Sequence, residues 1–481
     1  MLRGGFARSI VIAAVVVALI AHAMAEPAVT TGLDRVARKD TGLLRRLTRG
    51  NPTLVLAHAA SVLPDLTHAV DALFALSQER RAPIDLVGVL APEHGFRGAQ
   101  QAGAGGASNA TDPRTGLPVL SVYTLGPAQV RDLVVRACSR SPNATRANDR
   151  GRAGKSSGSC TVLVDLQDCG ARFYTYIWTM YDMLVAAAAA ASSFDVRVVV
   201  LDRPNPLGGA DWTVRGPVLE APAFASGVGR QPLALQHGMT MGELASLFNA
   251  EYVPKEPIAQ GRRAPLEVVS MAGWRRAGAW PATLLPWVPP SPNLPSFEVA
   301  RAYVGLGLVE GTNVSEGRGT TLPFVTLGAP FVDYRLALAL RGEGGEGGEG
   351  GEGRGLDSLG MITPQVGVRE AVFVPTFSKY ANRTCVGVEM GLLPSASSQK
   401  RERGLGGDDV DFVMASLVVL TQLQRLYPKA FAMTPFFDLL VGTDAVRKGI
   451  EAGQSAGEIA AGWQQDLAWF KVMRSRYLLY K

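Results

Sequence analysis

The 481-residue sequence predicts an α/β protein: a Rossmann-like, mostly parallel sheet domain followed by a smaller mixed α/β domain. Three observations carry that reading. From about residue 33 to 219, short apolar runs alternate with helical stretches. The run at 160–166 is apolar apart from Thr161 and Asp165, as strands buried on both faces tend to be. Ionisable residues gather where the runs end, the rim at which open α/β sheets bind ligands.

In chain order, residues 53–58 (Thr-Leu-Val-Leu-Ala-His) form the first expected strand, and 64–79 a helix with apolar spacing of about 3.6. Residues 84–90 and 118–123 follow as strands, then a helix at 127–137. The fourth strand is 160–166, the Ala-rich 176–192 is a helix by propensity, and the fifth strand, 196–201, ends at Asp202. Strand order is not encoded in this pattern. After about 238 the pattern changes to a helix at 241–249, a strand at 266–271, a proline-rich irregular run at 280–295 and a glycine-rich loop at 311–319. Strands at 371–375 and 384–390 and an amphipathic helix at 411–427 complete it. The Rossmann-like domain is therefore placed at 26–300 and the C-terminal domain at 301–481. Residues 139–159 (polar, basic) and 341–355 (nearly all Gly and Glu) read as insertions. Neither can bury enough apolar area to offset its ordering entropy, so both are expected as mobile surface loops.

Arg3 and Arg8 precede an apolar core at 10–21, and Ala23-Met24-Ala25 is a small-x-small cleavage site. Residues 1–25 thus read as a signal peptide, and a secreted or periplasmic location is expected. The core falls short of the roughly 20 residues of a spanning helix, an uncleaved anchor being the alternative. No stable membrane insertion is expected after cleavage. The net charge of +6 is concentrated locally, from Arg136 to Lys155, and implies solubility rather than a nucleic-acid partner. Of four cysteines, Cys138 and Cys160 flank the basic insertion and could staple its base; Cys169 and Cys385 remain. There is no CxxC pair and there are few histidines, so no metal is expected. Sequons stand at Asn109, Asn143 and Asn382.

The most informative segment is Pro92-Glu93-His94-Gly95-Phe96-Arg97-Gly98, which sets a carboxylate, an imidazole and a guanidinium just past an expected strand. Its structural alternative is a loop held by a Glu93–Arg97 ion pair. Other strand-end clusters hold Asp165, Asp168, Arg172 and Tyr174; Asp202, Arg203 and Asn205; His237; Asn293; and Glu310, Asn313, Glu316 and Arg318. No Gly-x-Gly-x-x-Gly follows the first strand and no Walker loop is present, so no cofactor is expected. No expected strand leads through a Gly-x-Ser-x-Gly elbow into a helix, which disfavours an ordinary serine hydrolase. Carboxylates, amides, arginines and aromatics suit an acidic sugar, whose glycosidic cleavage needs a proton-donating carboxyl group.

On these motifs the chain resembles the exo-β-N-acetylmuramidase family of glycoside hydrolases, long catalogued as a domain of unknown function. The resemblance is carried by residues 92–98, 115–119, 165–180, 201–209, 237–244, 291–295 and 310–330, in order between about 32 and 480. It implies release of N-acetylmuramic acid from the non-reducing end of peptidoglycan fragments or muropeptides, in a cleft between the two domains. Glu93 matches the family's proposed catalytic carboxylate and is expected as general acid, with His94 tuning it and Asp168 or Asp165 supplying a second carboxylate. A guanidinium can grip the sugar's lactyl carboxylate in two-point fashion; Arg97, Arg172, Arg203 and Arg318 are the candidates, at least half of which are expected only to fix loops through backbone carbonyls. Tyr174, Asp202, Asn205, His237, Asn293, Asn313 and Glu316 complete the expected substrate-binding set. Tyr174, Tyr176 and Trp178 have core packing as their alternative, and Asp165, Asp202 and Asn205 have turn capping. One departure stands out: Ala57 precedes His58 where the family usually has asparagine. Two further readings are a glycan-binding protein without turnover, and a metal-dependent hydrolase using Asp165, Asp168 and His94.

Overall fold

Strand β1 (Pro52–Ala57), buried at every position, lies at the centre of the sheet in the computed structural model. The structure describes residues 29–103, 110–141, 158–342, 366–392 and 410–481. The expected signal peptide, most of both expected loops, and Asn109 and Asn143 lie outside them. Around β1 stand β2 (Asp85–Ala91), β3 (Ala110–Thr111), β4 (Pro118–Ser121), β5 (Ser159–Asp165) and β6 (Asp195–Leu201). A two-stranded antiparallel ribbon, β7 (Arg215–Val218) with β8 (Ala234–Gln236), sits outside the sheet, and β9 (Leu266–Val269) completes it. The order is β3-β4-β2-β1-β5-β6-β9, with every neighbouring pair parallel except β3–β4. The sheet is thus mostly parallel and Rossmann-like, as the alternation of runs predicts. The chain builds outward from β1 through β2 and β4, then returns to β1's other side with β5 and β6. Such a reversal opens a crevice beyond the carboxyl ends of the strands.

Behind the sheet runs the helix Tyr176–Ala190, in which every residue except Thr179 is buried. A helix apolar all round has to be a core element. It packs on the helices Pro127–Ser139 and Met241–Glu251 and on β6. Cys138 and Cys160 form a disulfide with Cα atoms 5.9 Å apart, so the helix ending at Ser139 is linked to β5.

The helix expected at 64–79 begins only at Ala69. Asp65 Oδ1 accepts from the Thr67 amide (3.0 Å), and His68 Nδ1 caps the helix by accepting from the Val70 amide (3.2 Å). Local side-chain capping wins over apolar spacing there.

The C-terminal region carries an antiparallel sheet, β10 (Thr326–Ala329), β11 (Val366–Phe373) and β12 (Cys385–Leu392), in the order β10-β12-β11. The helix expected as amphipathic at 411–427 spans Phe412–Leu426, and its first nine residues are all buried. It is a central element because the helix Phe297–Leu306, which the sequence reading passed over, lies directly on it. Gly305 permits the contact: a Cβ there would stand 1.8 Å from the Phe412 carbonyl oxygen. No helix among the described residues is long and apolar enough to cross a membrane.

Candidate active site

Beyond the carboxyl end of β2 the chain turns sharply, and three positions with positive φ make the turn. His94, Gly95 and Gly98 have φ of 68°, 75° and 74°, and a Cβ at Gly98 would meet the Ala59 Cβ at 2.8 Å. A glycine is required at 98 on both counts. His94 holds the left-handed conformation without that freedom, a strained arrangement of the kind found at functional sites. Its ring Nδ1 donates to the Gln100 carbonyl (2.9 Å), and burial pushes its pKa below the ordinary histidine value although the Glu93 carboxylate opposes this.

This turn delivers Glu93 to a cavity of about 210 Å³. Glu93 is 9% exposed, and its Oε1 accepts from the Gly103 amide (3.0 Å) and the Tyr123 hydroxyl (3.1 Å). Oε2 lies 2.7 Å from the Thr175 hydroxyl, at the N-cap of the buried helix Tyr176–Ala190. Burial and the adjacent Glu93 charge push the Tyr123 phenol up to about 12, so it remains a donor. Tyr176 ties the same turn to the 290 segment, donating to the carbonyls of Glu93 (3.2 Å) and Pro290 (2.9 Å).

The facing wall comes from the C-terminal half of the chain: Tyr303, Glu310, Arg318, Phe324 and Phe436. Arg318 donates from Nε (3.0 Å) and Nη2 (2.6 Å) to Glu310 Oε1 and lies over the Phe324 ring, with Cζ 5.0 Å from its centroid. Its Nη1 is buried and has no hydrogen-bond partner among the described residues. Phe436, 40% exposed, is the most solvent-exposed large apolar side chain in this wall.

Of the residues singled out from sequence, Glu93, His94, Tyr174 and Arg318 line this cavity. Asn293 is adjacent in chain to its Leu294 and donates to Gln101 (3.1 Å). The remaining candidates are engaged in the framework. Arg97 is paired with Asp71 and Asp112, not with Glu93, at 2.9 Å each. Asp165 and Arg203 form a buried two-point pair (2.7 and 2.8 Å). Asp168 accepts from the Gly170 amide (2.7 Å) and lies 3.1 Å from His237. Arg172 donates to four carbonyls. Asp202 accepts from Thr240 (2.8 Å), the Gly242 amide (2.8 Å) and the Tyr480 hydroxyl (2.5 Å). Asn205 closes a turn on Leu207 and donates to Met239, Asn313 is bonded to Ala430 and Ala432, and Glu316 is paired with Lys379 at 3.0 Å. Asp165, Asp168 and His94, the set for a metal-dependent reading, are each held by separate partners. Among the described residues no three His, Cys, Asp or Glu side chains are grouped as a metal site.

Sequence reasoning placed Glu310 in a charged strand-end cluster without giving it a role, and it did not single out Tyr123, Thr175 or Tyr303. Glu310 heads a charged, glycine-rich run, and Tyr123 closes an expected strand, so position signals existed for both. Nothing local separates them from their neighbours.

Family models for the exo-beta-N-acetylmuramidase NamZ match the chain twice, the N-terminal one over residues 53–132 and 148–298 and the C-terminal one over 301–480. The chain is 35% identical over 457 residues to the peptidoglycan beta-N-acetylmuramidase NamZ of Bacillus subtilis (strain 168), spanning 95% of this chain and 92% of that one. Two solved structures of DUF1343 family proteins from Bacteroides fragilis NCTC 9343 are similar to it. The first has a TM-score of 0.69 at 25% identity, covering 95% of this chain and 100% of that one. The second has 0.61 at 28% identity, covering 94% and 99%.

Proposed function

The chain belongs to the exo-beta-N-acetylmuramidase NamZ family, and from that premise we propose that it hydrolyses the bond holding N-acetylmuramic acid at the non-reducing end of peptidoglycan fragments, with Glu93 as proton donor. The observation that carries this reading is the position of Glu93. It is the carboxyl group of the β2 turn, sits in a cavity of about 210 Å³, and is fixed by Gly103, Tyr123 and Thr175. The bond from the anomeric carbon to the leaving oxygen breaks, its electron pair stays on that oxygen, and Glu93 supplies the proton that neutralises it.

Arg318 gives the site its preference for an acidic sugar. Two of its nitrogens are held by Glu310, and its positive charge in the cavity wall attracts the lactyl carboxylate, while Nη1 is buried without a partner among the described residues. Tyr174 and Tyr303 supply apolar wall against the sugar ring. Residues 1–25 direct the chain out of the cytoplasm to where peptidoglycan lies; N-terminal sequencing of the exported protein should begin at Glu26.

The test of the chemistry is Glu93→Gln assayed on a chromogenic β-N-acetylmuramide. Release of the chromophore should disappear while the melting temperature is unchanged. Retained turnover by a folded variant rejects Glu93 as the donor.

A further inference from the structure

Building on the hydrolysis just proposed, we infer that Glu310 is its base: it takes a proton from the water that attacks the anomeric carbon while Glu93 protonates the leaving oxygen. The two carboxylates line the same cavity from opposite halves of the chain, Glu93 after β2 and Glu310 from the helical turn Gly307–Gly311. Glycosidases of both stereochemical classes use such a pair flanking the bond.

The arrangement around Glu310 suits a base. Its Oε1 takes both Arg318 hydrogen bonds, Oε2 has no hydrogen bond among the described residues, and the side chain, 20% exposed, lines the cavity. Its main chain is clamped independently by Lys379, whose Nζ donates to the carbonyls of Val309, Glu310 and Val314, each at 3.0 Å. Lys379 also pairs with Glu316 at 3.0 Å. A loop held this firmly presents one carboxylate oxygen in one direction. Burial also raises the Glu310 pKa above the ordinary glutamate value, although Arg318 and Lys379 oppose it and Glu316 adds to it. A carboxylate with raised proton affinity is a better proton acceptor than an ordinary one. The competing role is structural, a strut joining the turn to Arg318.

The balance is that of an inverting hydrolysis. One C–O bond to the leaving group breaks and one C–O bond to water forms on the opposite ring face. The water's proton goes to Glu310, and Glu93's proton leaves with the aglycone. Both carboxyl groups are restored when Glu310's proton returns to Glu93 through solvent.

The experiment uses the full chain and 4-nitrophenyl β-N-acetylmuramide. Proton NMR of the first-formed sugar should show the α anomer, and a first-formed β anomer overturns the proposal. Glu310→Gln, which keeps an oxygen for Arg318, should lose roughly 10²–10⁴-fold in kcat with KM within a few-fold. A folded Glu310→Gln within tenfold of wild-type kcat overturns the base role. Should that variant fail to fold, Glu310→Asp serves instead: it keeps the charge, withdraws it by one methylene, and is expected to lose kcat with little change in KM. Wild-type kcat in a folded Glu310→Asp overturns the proposal too. The wild-type reaction separates this idea from its premise. No sugar release at all by the wild type sinks the hydrolysis itself, whereas wild-type release with an active Glu310 variant sinks only Glu310.

Discussion

Arg172, whose backbone follows β5, donates to the carbonyl oxygen of Leu440 at 2.9 Å, across most of the length of the chain. It also reaches Val441 (2.6 Å), Pro217 and Leu233 (both 2.9 Å), and among the described residues no carboxylate pairs with it. Burial lowers its pKa to about 9. Leu440 itself lines the cavity. Removing the guanidinium would strip it from the carbonyls of Pro217, Leu440 and Val441 in a dry interior, each costing about 1–3 kcal/mol when unsatisfied, whereas Leu233 keeps the Leu219 amide (3.1 Å). Arg172→Met should therefore lower unfolding free energy by at least about 3 kcal/mol, measured by denaturant titration. A loss below about 1 kcal/mol would mean that water enters and satisfies these carbonyls.

Arg318 offers a test of sugar choice. Arg318→Lys keeps a positive charge but loses the planar fork. We expect kcat/KM on an N-acetylmuramide to fall about ten- to a hundredfold, the worth of a charged hydrogen bond. The same aryl glycoside without the lactyl group should be affected much less. Equal losses on both substrates would assign Arg318 to holding Glu310 rather than to the lactyl carboxylate.

Asp202 makes stability depend on pH. Burial raises its carboxyl pKa to about 6 against an ordinary 3.8, even though Tyr480, Gly242 and Thr240 donate to it. Between those values the folded chain keeps a proton that the unfolded chain has released. Stability from this group is therefore full below about pH 4 and lost as pH climbs through about 6, by roughly 3 kcal/mol in all. Asp202→Asn, of the same shape and uncharged, should remove this slope. Unfolding free energies of both proteins at pH 4 and pH 7 give the comparison, and parallel curves would refute it.

Gly305→Ala should destabilise the crossing of the helices Phe297–Leu306 and Phe412–Leu426. Its new methyl would sit 2.2 Å from the Phe412 carbonyl carbon, and main chain cannot rotate away as a side chain can. A loss at the upper end of the roughly 1–3 kcal/mol typical of overpacking is expected. Gly457→Ala is the control. A Cβ there meets nothing within 4 Å, in the exposed part of the helix Ala456–Ala461, and alanine should gain roughly 0.5–1 kcal/mol. Thermal melts of the two variants should move in opposite directions.

The parallel strands were legible because burial on both faces demands apolar residues, and β1, β2, β5 and β6 carry unbroken apolar runs at 54–57, 89–91, 162–164 and 198–201. Their order was not, since pairing depends on which side each crossover passes. The helix Phe297–Leu306 did carry a start signal, with Ser296 capping the Val299 amide, but a proline-rich run just before it hid the change of pattern. At the site, sequence located the turn with Glu93 and the loop with Arg318 yet could not sort their neighbours. Arg97, Asp165 and Arg203 have the composition of a binding site and spend it on one another or on other loops. Charged side chains at strand ends answer equally well to a ligand and to an internal partner. Only the three-dimensional pairing tells Glu310, which lines the cavity, from Glu316, with Lys379 upon it.

Because one wall of the cavity ends in the helix Pro435–Val441, a nascent chain is harmless until that helix has emerged and docked. Up to then the wall opposite Glu93 lacks Phe436 and Leu440. Competence to cut cell-wall sugars is thus deferred to the closing stage of folding, and a polypeptide broken off before residue 435 should be inert however well its parallel sheet has formed.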